Sequence, residues 1–159
     1  MTEELLFRSA AVPLLLAGRM STGKIIFLSP IIFGLAHVHH FYEFRITNPQ
    51  VPVIAALARS LLQFTYTSLF GAYATFLYLR TGSLLCVVLV HAFCNSMGLP
   101  RVWGYVEPYW MRGSQQQLRR ARLFSTALYY VLLVGGFITW QKNLYRLTES
   151  NASLMKVVA

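Results

Sequence analysis

The chain has 159 residues, 56% of them hydrophobic, 14% aromatic and only 12% charged. An ordinary soluble domain carries about 25% charged residues, so half the usual charge is missing; disorder, a disulfide-rich module and an ordinary cytosolic enzyme are excluded. Fourteen Lys and Arg against five Glu, with no Asp, give a formal charge of +9.

The cations do not form a face. Eleven of the fourteen are Arg, spread singly except for Arg119, Arg120 and Arg122. A nucleic-acid domain would gather them into a stripe, whereas arginines at helix ends meet anionic headgroups. The composition predicts an all-α polytopic transmembrane helix bundle of about five helices, four full spans plus a short N-terminal helix, partnered by the lipid bilayer and by no nucleic acid. Cys86 and Cys94 share one apolar run; eight residues on a helix is about 12 Å, too far for a disulfide.

In chain order, residues 3–18 form the short helix, about 24 Å long at 1.5 Å per residue, with a kink expected at Pro13. About 30 Å of hydrocarbon is beyond its reach. Uncharged apolar runs follow at 25–42, 60–79, 83–99 and 123–140, each near the roughly 17–25 residues that a span requires. Gly18, Gly23, Asn48-Pro49 and Thr81-Gly82 punctuate the joins, and residues 100–122 make the longest polar connection. Residues 1–142 read as one membrane domain and 143–159 as a polar tail. Flanking cations divide six against six if the helices alternate, so charge sets no orientation.

Ionisable groups inside apolar helices are costly and mark function by default. Here they fall into three strings: Glu3-Glu4-Leu5-Leu6-Phe7-Arg8, Phe33-Gly34-Leu35-Ala36-His37-Val38-His39-His40, and His91-Ala92-Phe93-Cys94-Asn95. Glu4 and Arg8 stand four apart with the acid first, the favourable order for an intrahelical ion pair. Glu3, rotated by about 100°, has no such local partner and is free for chemistry. His91 and Asn95 also stand four apart and share a face, where imidazole and amide can both donate to a developing oxyanion. His40 shares a face with His37, and His39 points elsewhere. The acids sit within eight residues of Met1 with no shell before them, which reads as the C-terminal part of a longer protein, or a gene model begun at an internal Met. A carboxylate taking a proton from water while a histidine orients that water is hydrolysis without a covalent intermediate. The same residues also suit helix packing by buried ion pairs and hydrogen bonds.

These strings, in this order and on separate apolar segments, resemble the CAAX prenyl endopeptidase family, also called type II CAAX proteases or Ras-converting enzymes. Its pattern is E-E-x-x-x-R, then F-x-x-x-H, then H-x-x-x-N or H-x-x-x-B. Gln63-Phe64-Thr65-Tyr66-Thr67, Phe70-Gly71-Ala72-Tyr73 and Arg80-Thr81-Gly82 resemble its eukaryotic branch. The resemblance implies Glu3 as general base with His37, His91 and Asn95 as oxyanion site, and Glu4 and Arg8 in support. It implies removal of the aaX tripeptide from isoprenylated CAAX proteins such as Ras-like small GTPases, in the endoplasmic reticulum membrane, without a cofactor. Family members carry several helices before the E-E motif.

Three rival readings stay open on the sequence. Glu3, His37 and His91 could bind zinc, making a metalloprotease. Cys94 with His91 could form a cysteine protease, although an apolar helix disfavours the thiolate. A non-catalytic membrane scaffold or a gene fragment would use the same polar residues for packing alone.

Overall fold

The computed structural model describes residues 2–107 and 114–157, all helix, turn and loop. Met1, residues 108–113 within the polar connection, and the tail's last two residues lie outside the described residues. Two compact units divide the chain, one of residues 1–96 with 149–159 and the other of 97–148.

The first unit opens with α1 (Thr2–Glu4), a π-helical stretch (Leu5–Ala10) and α2 (Ala11–Ala17), wound as one continuous run. Pro13 has no N–H to give the Ser9 carbonyl, and the distortion expected there is taken up just before it, as a widened turn. Ala11 N–H reaches back five residues to the Leu6 carbonyl, and Ser9 Oγ donates to the Leu5 carbonyl at 2.6 Å. π turns of this kind concentrate at functional sites.

Helices α3 (Thr22–Leu35) and α4 (His39–Thr47) follow, separated by a tight turn at 36–38, and α5 (Val53–Thr81) returns alongside them. The close approach of α3 to α5 depends on two glycines. A Cβ on Gly34 would lie 2.5 Å from Ser68 Oγ and 2.9 Å from Phe64, and one on Gly71 would lie 3.1 Å from Pro30. Ser29 and Thr75 share a buried 3.0 Å hydrogen bond across the same contact. Small residues at a helix crossing let backbones approach, as membrane bundles require.

Helix α5 ends at Gly82, which takes a left-handed φ of 63° and gives its N–H to the Tyr78 carbonyl. Helix α6 (Leu84–Met97) follows; at 14 residues it is about 21 Å long. Val12, Ile25 and Leu79 form one buried cluster, against which Leu154 and Met155 pack. Ala74, Leu77 and Val87 form a second. Ser153 Oγ donates to the Leu79 carbonyl at 3.2 Å, fastening residues 149–157 to this unit.

In the second unit, α7 (Gln115–Leu147) starts at a capping box: Ser114 Oγ accepts from Gln117 N–H, and the Gln117 side chain accepts from Ser114 N–H. The helix runs on past residue 142 to Leu147. Residues 101–107 fold onto it through Arg101 N–H to Tyr129 Oη at 2.8 Å and Val106 N–H to Thr126 Oγ1 at 2.9 Å. Among the described residues three stretches are long and apolar enough to cross a membrane: Thr22–Thr47, Val53–Thr81 and Gln115–Leu147. Their outward faces are apolar; Phe27, Ile54, Leu69 and Phe124 are all well exposed, as lipid-facing positions are.

Candidate active site

All of the residues singled out from the three polar strings belong to the first unit. Glu4 lies on α1 and is completely buried, and Arg8 on the π stretch is 1% exposed. Arg8 Nη1 and Nε lie 3.3 and 3.2 Å from the two Glu4 carboxylate oxygens. Arg8 Nη2 donates to the Gly71 carbonyl at 3.2 Å, so this cation ties the first helix to α5. Its guanidinium also stacks on Phe33, 4.7 Å from the ring centroid. Phe33 in turn meets Phe7 edge-to-face at 5.1 Å.

The Glu4 carboxylate has a second partner. His91 Nδ1 donates to Glu4 Oε1 at 2.6 Å, which turns the other ring nitrogen, Nε2, outward. His37 is oriented in the same way: its Nδ1 donates to the Phe33 carbonyl at 2.8 Å. An N–H committed to an acceptor fixes which nitrogen faces the site.

Both outward nitrogens face Glu3. Glu3 Oε1 lies 4.0 Å from His37 Nε2, and Glu3 Oε2 lies 3.9 Å from His91 Nε2. The Glu3 side chain is 45% exposed, against 17% for His37 and 13% for His91. A separation of 4.0 Å exceeds a direct hydrogen bond and suits a bridging water about 2.8 Å from each atom. Thr2, Glu3, Glu4, Val88, His91 and Asn95 line an open cavity of about 380 Å³ here. Asn95 stands one turn beyond His91 on its wall, while His37 and Cys94 are absent from its lining.

The zinc set of Glu3, His37 and His91 fits poorly. Tetrahedral zinc holds nitrogen and oxygen ligands at about 2.0–2.2 Å, hence about 3.3–3.5 Å from one another. The Glu3 contacts are wider than that. Among the described residues the trio whose ligand atoms all lie within 4.8 Å is His39, His40 and Glu43. His39 Nδ1 is committed to the Ala36 carbonyl and His40 Nδ1 to Glu43, each at 2.8 Å. The His40 ring lies 5.9 Å from that of His37, and the ring of the exposed His39 lies 3.9 Å from that of His40, tilted by 42°.

Two features had no sequence signal: the bond between Glu4 and His91, which joins residues 87 apart, and the Gly71 carbonyl as the anchor of Arg8. A third had one. Arg59, alone in the apolar run of α5, lines a groove with His40 and Gln63, and a lone charge in a span is a functional signal.

Apolar helices around a cluster of two glutamates, two imidazoles and a buried arginine define an all-α membrane protein. Residues 1–97 match the model of the type II CAAX prenyl endopeptidase, Rce1-like family. The chain is 44% identical over 144 residues to the probable CAAX prenyl protease 2 of Schizosaccharomyces pombe, covering 88% of this chain and 48% of that protein. It is 48% identical over 99 residues to CAAX prenyl protease 2 of Arabidopsis thaliana, 62% of this chain and 32% of that one. With the human CAAX prenyl protease 2 it shares 44% identity over 107 residues, 67% and 32% of the respective lengths. No solved structure matches. The chain belongs to the Rce1-like type II CAAX prenyl endopeptidase family, and it spans about half or less of the length of these curated relatives.

Proposed function

We propose that this chain carries the hydrolytic centre of a CAAX prenyl endopeptidase, which removes the C-terminal aaX tripeptide from isoprenylated proteins of the Ras-like kind at the endoplasmic reticulum membrane. The observation that carries the reading is Glu3, its two carboxylate oxygens facing the outward nitrogens of His37 and His91 at 4.0 and 3.9 Å.

The chemistry follows from which atoms are already committed. His37 gives its Nδ1 proton to Phe33, so its Nε2 lone pair and the Glu3 carboxylate are two acceptors for the protons of one water. Glu3 takes a proton as the water oxygen attacks the scissile carbonyl. The developing oxyanion accepts a hydrogen bond from Asn95 Nδ2. It accepts another from His91 Nε2 when that ring is charged, the ring being held by its Nδ1–H on Glu4. Glu3 then returns its proton to the leaving amine as the C–N bond breaks. No cofactor enters any step. An isoprenyl chain delivers such a substrate to the bilayer plane, each buried methylene contributing about 0.8 kcal/mol.

The test is hydrolysis of an isoprenylated CAAX peptide by the chain reconstituted in lipid vesicles, compared with Glu3→Gln. Release of an intact aaX tripeptide by the parent and not by the variant supports the reading. Equal release by both, or none by either in well-folded preparations, overturns it.

A further inference from the structure

A second polar site adjoins the first. His40, Glu43, Phe44, Thr47, Arg59 and Gln63 line a groove of about 340 Å³ between α4 and α5. Arg59 is the only charge in the first 27 residues of α5. Its guanidinium sits 4.5 Å above the Phe44 ring, and the described residues offer it no carboxylate. Glu43, the one acid in the groove, is taken by His40 at 2.8 Å. Arg59 and Gln63 stand four apart, so both present donors on one face. A guanidinium stacked on an aromatic ring is held flat and loses little freedom on taking a planar two-oxygen acceptor.

We infer that Arg59, with Gln63 beside it, is the binding site for the free α-carboxylate at the C-terminus of the peptide substrate. The inference rests on the hydrolase reading above and identifies what that site measures. Two distances support a carboxylate at this place. From His37, in the turn of the α3–α4 arm, to Phe44 on α4 is seven residues, about 10–12 Å along the backbone at about 1.5–2.0 Å per residue. The three residues after a scissile bond, extended, also span about 10 Å. A chain with its scissile carbonyl beside Glu3 and His37, if it runs along this arm past the His40 ring, 5.9 Å from His37, ends near the Phe44–Arg59 stack.

Depth agrees. Helix α5 has 29 residues, about 43 Å, against about 30 Å of hydrocarbon. Arg59 is its seventh residue, about 9 Å from the start, so its head reaches the interface where a peptide on a buried isoprenyl chain would lie. A lipid phosphate could take the same donors, but it has no reason to sit one imidazole away from the Glu3 cavity.

The experiment compares two isoprenylated peptides, one ending in a free carboxylate and one in a carboxamide, with the chain in neutral phosphatidylcholine vesicles. Hydrolysis by the parent is expected to favour the acid by about tenfold or more in kcat/KM, the effect of one charged hydrogen bond. Arg59→Ala should bring the acid-to-amide ratio close to one, and Arg59→Lys should keep part of it. A ratio that Arg59→Ala leaves unchanged while both rates fall assigns Arg59 a structural role and overturns the inference. So does an Arg59 effect that appears only when anionic lipid is added, which would identify a headgroup site. Binding of the same pair with the scissile amide replaced by a non-cleavable linkage separates the two readings. Preference for the acid without any cleavage sinks the hydrolase and keeps the carboxylate site; cleavage with no preference does the reverse.

Discussion

His91 and Glu4, 87 residues apart in sequence, are joined by a 2.6 Å hydrogen bond beneath the Glu3 cavity. Through it one buried carboxylate meets both Arg8 and His91, while the adjacent Glu3 is half-exposed and faces the open cavity.

The first prediction separates them by stability. Glu4→Gln leaves Arg8 buried without its counter-charge and gives His91 Nδ1 a neutral amide oxygen in place of a charged acceptor. Breaking a buried charge pair costs about 3–5 kcal/mol, so this variant should melt well below the parent in detergent-solubilised thermal unfolding. Joint replacement, Glu4→Gln with Arg8→Met, should recover much of that loss, because neither charge is then left alone.

Glu3→Gln should do the opposite. Its side chain is 45% exposed and its nearest partners are 3.9 and 4.0 Å away, so the melting temperature should stay near the parent's. Removing a general base typically costs about 10²–10⁴-fold in rate. Measured together, unchanged melting and lost hydrolysis distinguish an enzyme from a packing scaffold, for which the pattern would be reversed.

How far the sequence carried this is visible in the same residues. The helices were legible because an uncharged run near 20 residues long leaves few other structures in a bilayer, where every backbone group must be satisfied internally. The Glu4–Arg8 pair was legible because four residues on a helix return to one face, and the π turn around Arg8 leaves that pair intact. Glu4 meeting His91 was not, since helical periodicity says nothing about which face of α6 turns towards α1. Nor could it show that Phe33 seats the Arg8 guanidinium, because an aromatic residue in an apolar helix looks the same whether it meets lipid or a cation. Arg59 was readable only as a lone charge; its groove required α4 and α5 to be set side by side.

Asn95 offers a narrower test. It is exposed on the cavity wall, with no charge for its loss to strand, so Asn95→Ala should leave folding intact. An oxyanion donor acts in the transition state and is worth about 10²–10³ in kcat. The expectation is therefore a fall in kcat with KM nearly unchanged. A KM effect alone would make Asn95 a substrate-binding group.

Gly82 should be the least replaceable of the described glycines. It closes α5 at a φ of 63°, where an L side chain is strained, and an added Cβ would run into the Ala152 carbonyl. Gly82→Ala should cost about 1–3 kcal/mol in unfolding and loosen residues 149–157, read as faster hydrogen exchange there. Gly135 and Gly136 on α7 have open space where a Cβ would go. Alanine at either should leave stability unchanged or slightly raised, since it favours helix by up to about 1 kcal/mol over glycine.

Metal removal tests the water-based mechanism. The Glu3–imidazole contacts, near 4 Å, are wider than zinc imposes on its ligands. Hydrolysis in vesicles should therefore survive dialysis against a strong zinc chelator, and added zinc should not raise it. The same treatment should leave the Glu3→Gln defect in place. A parent enzyme silenced by the chelator and revived by zinc alone would mean that Glu3, His37 and His91 close around an ion, and Glu3 would then be a ligand rather than a base.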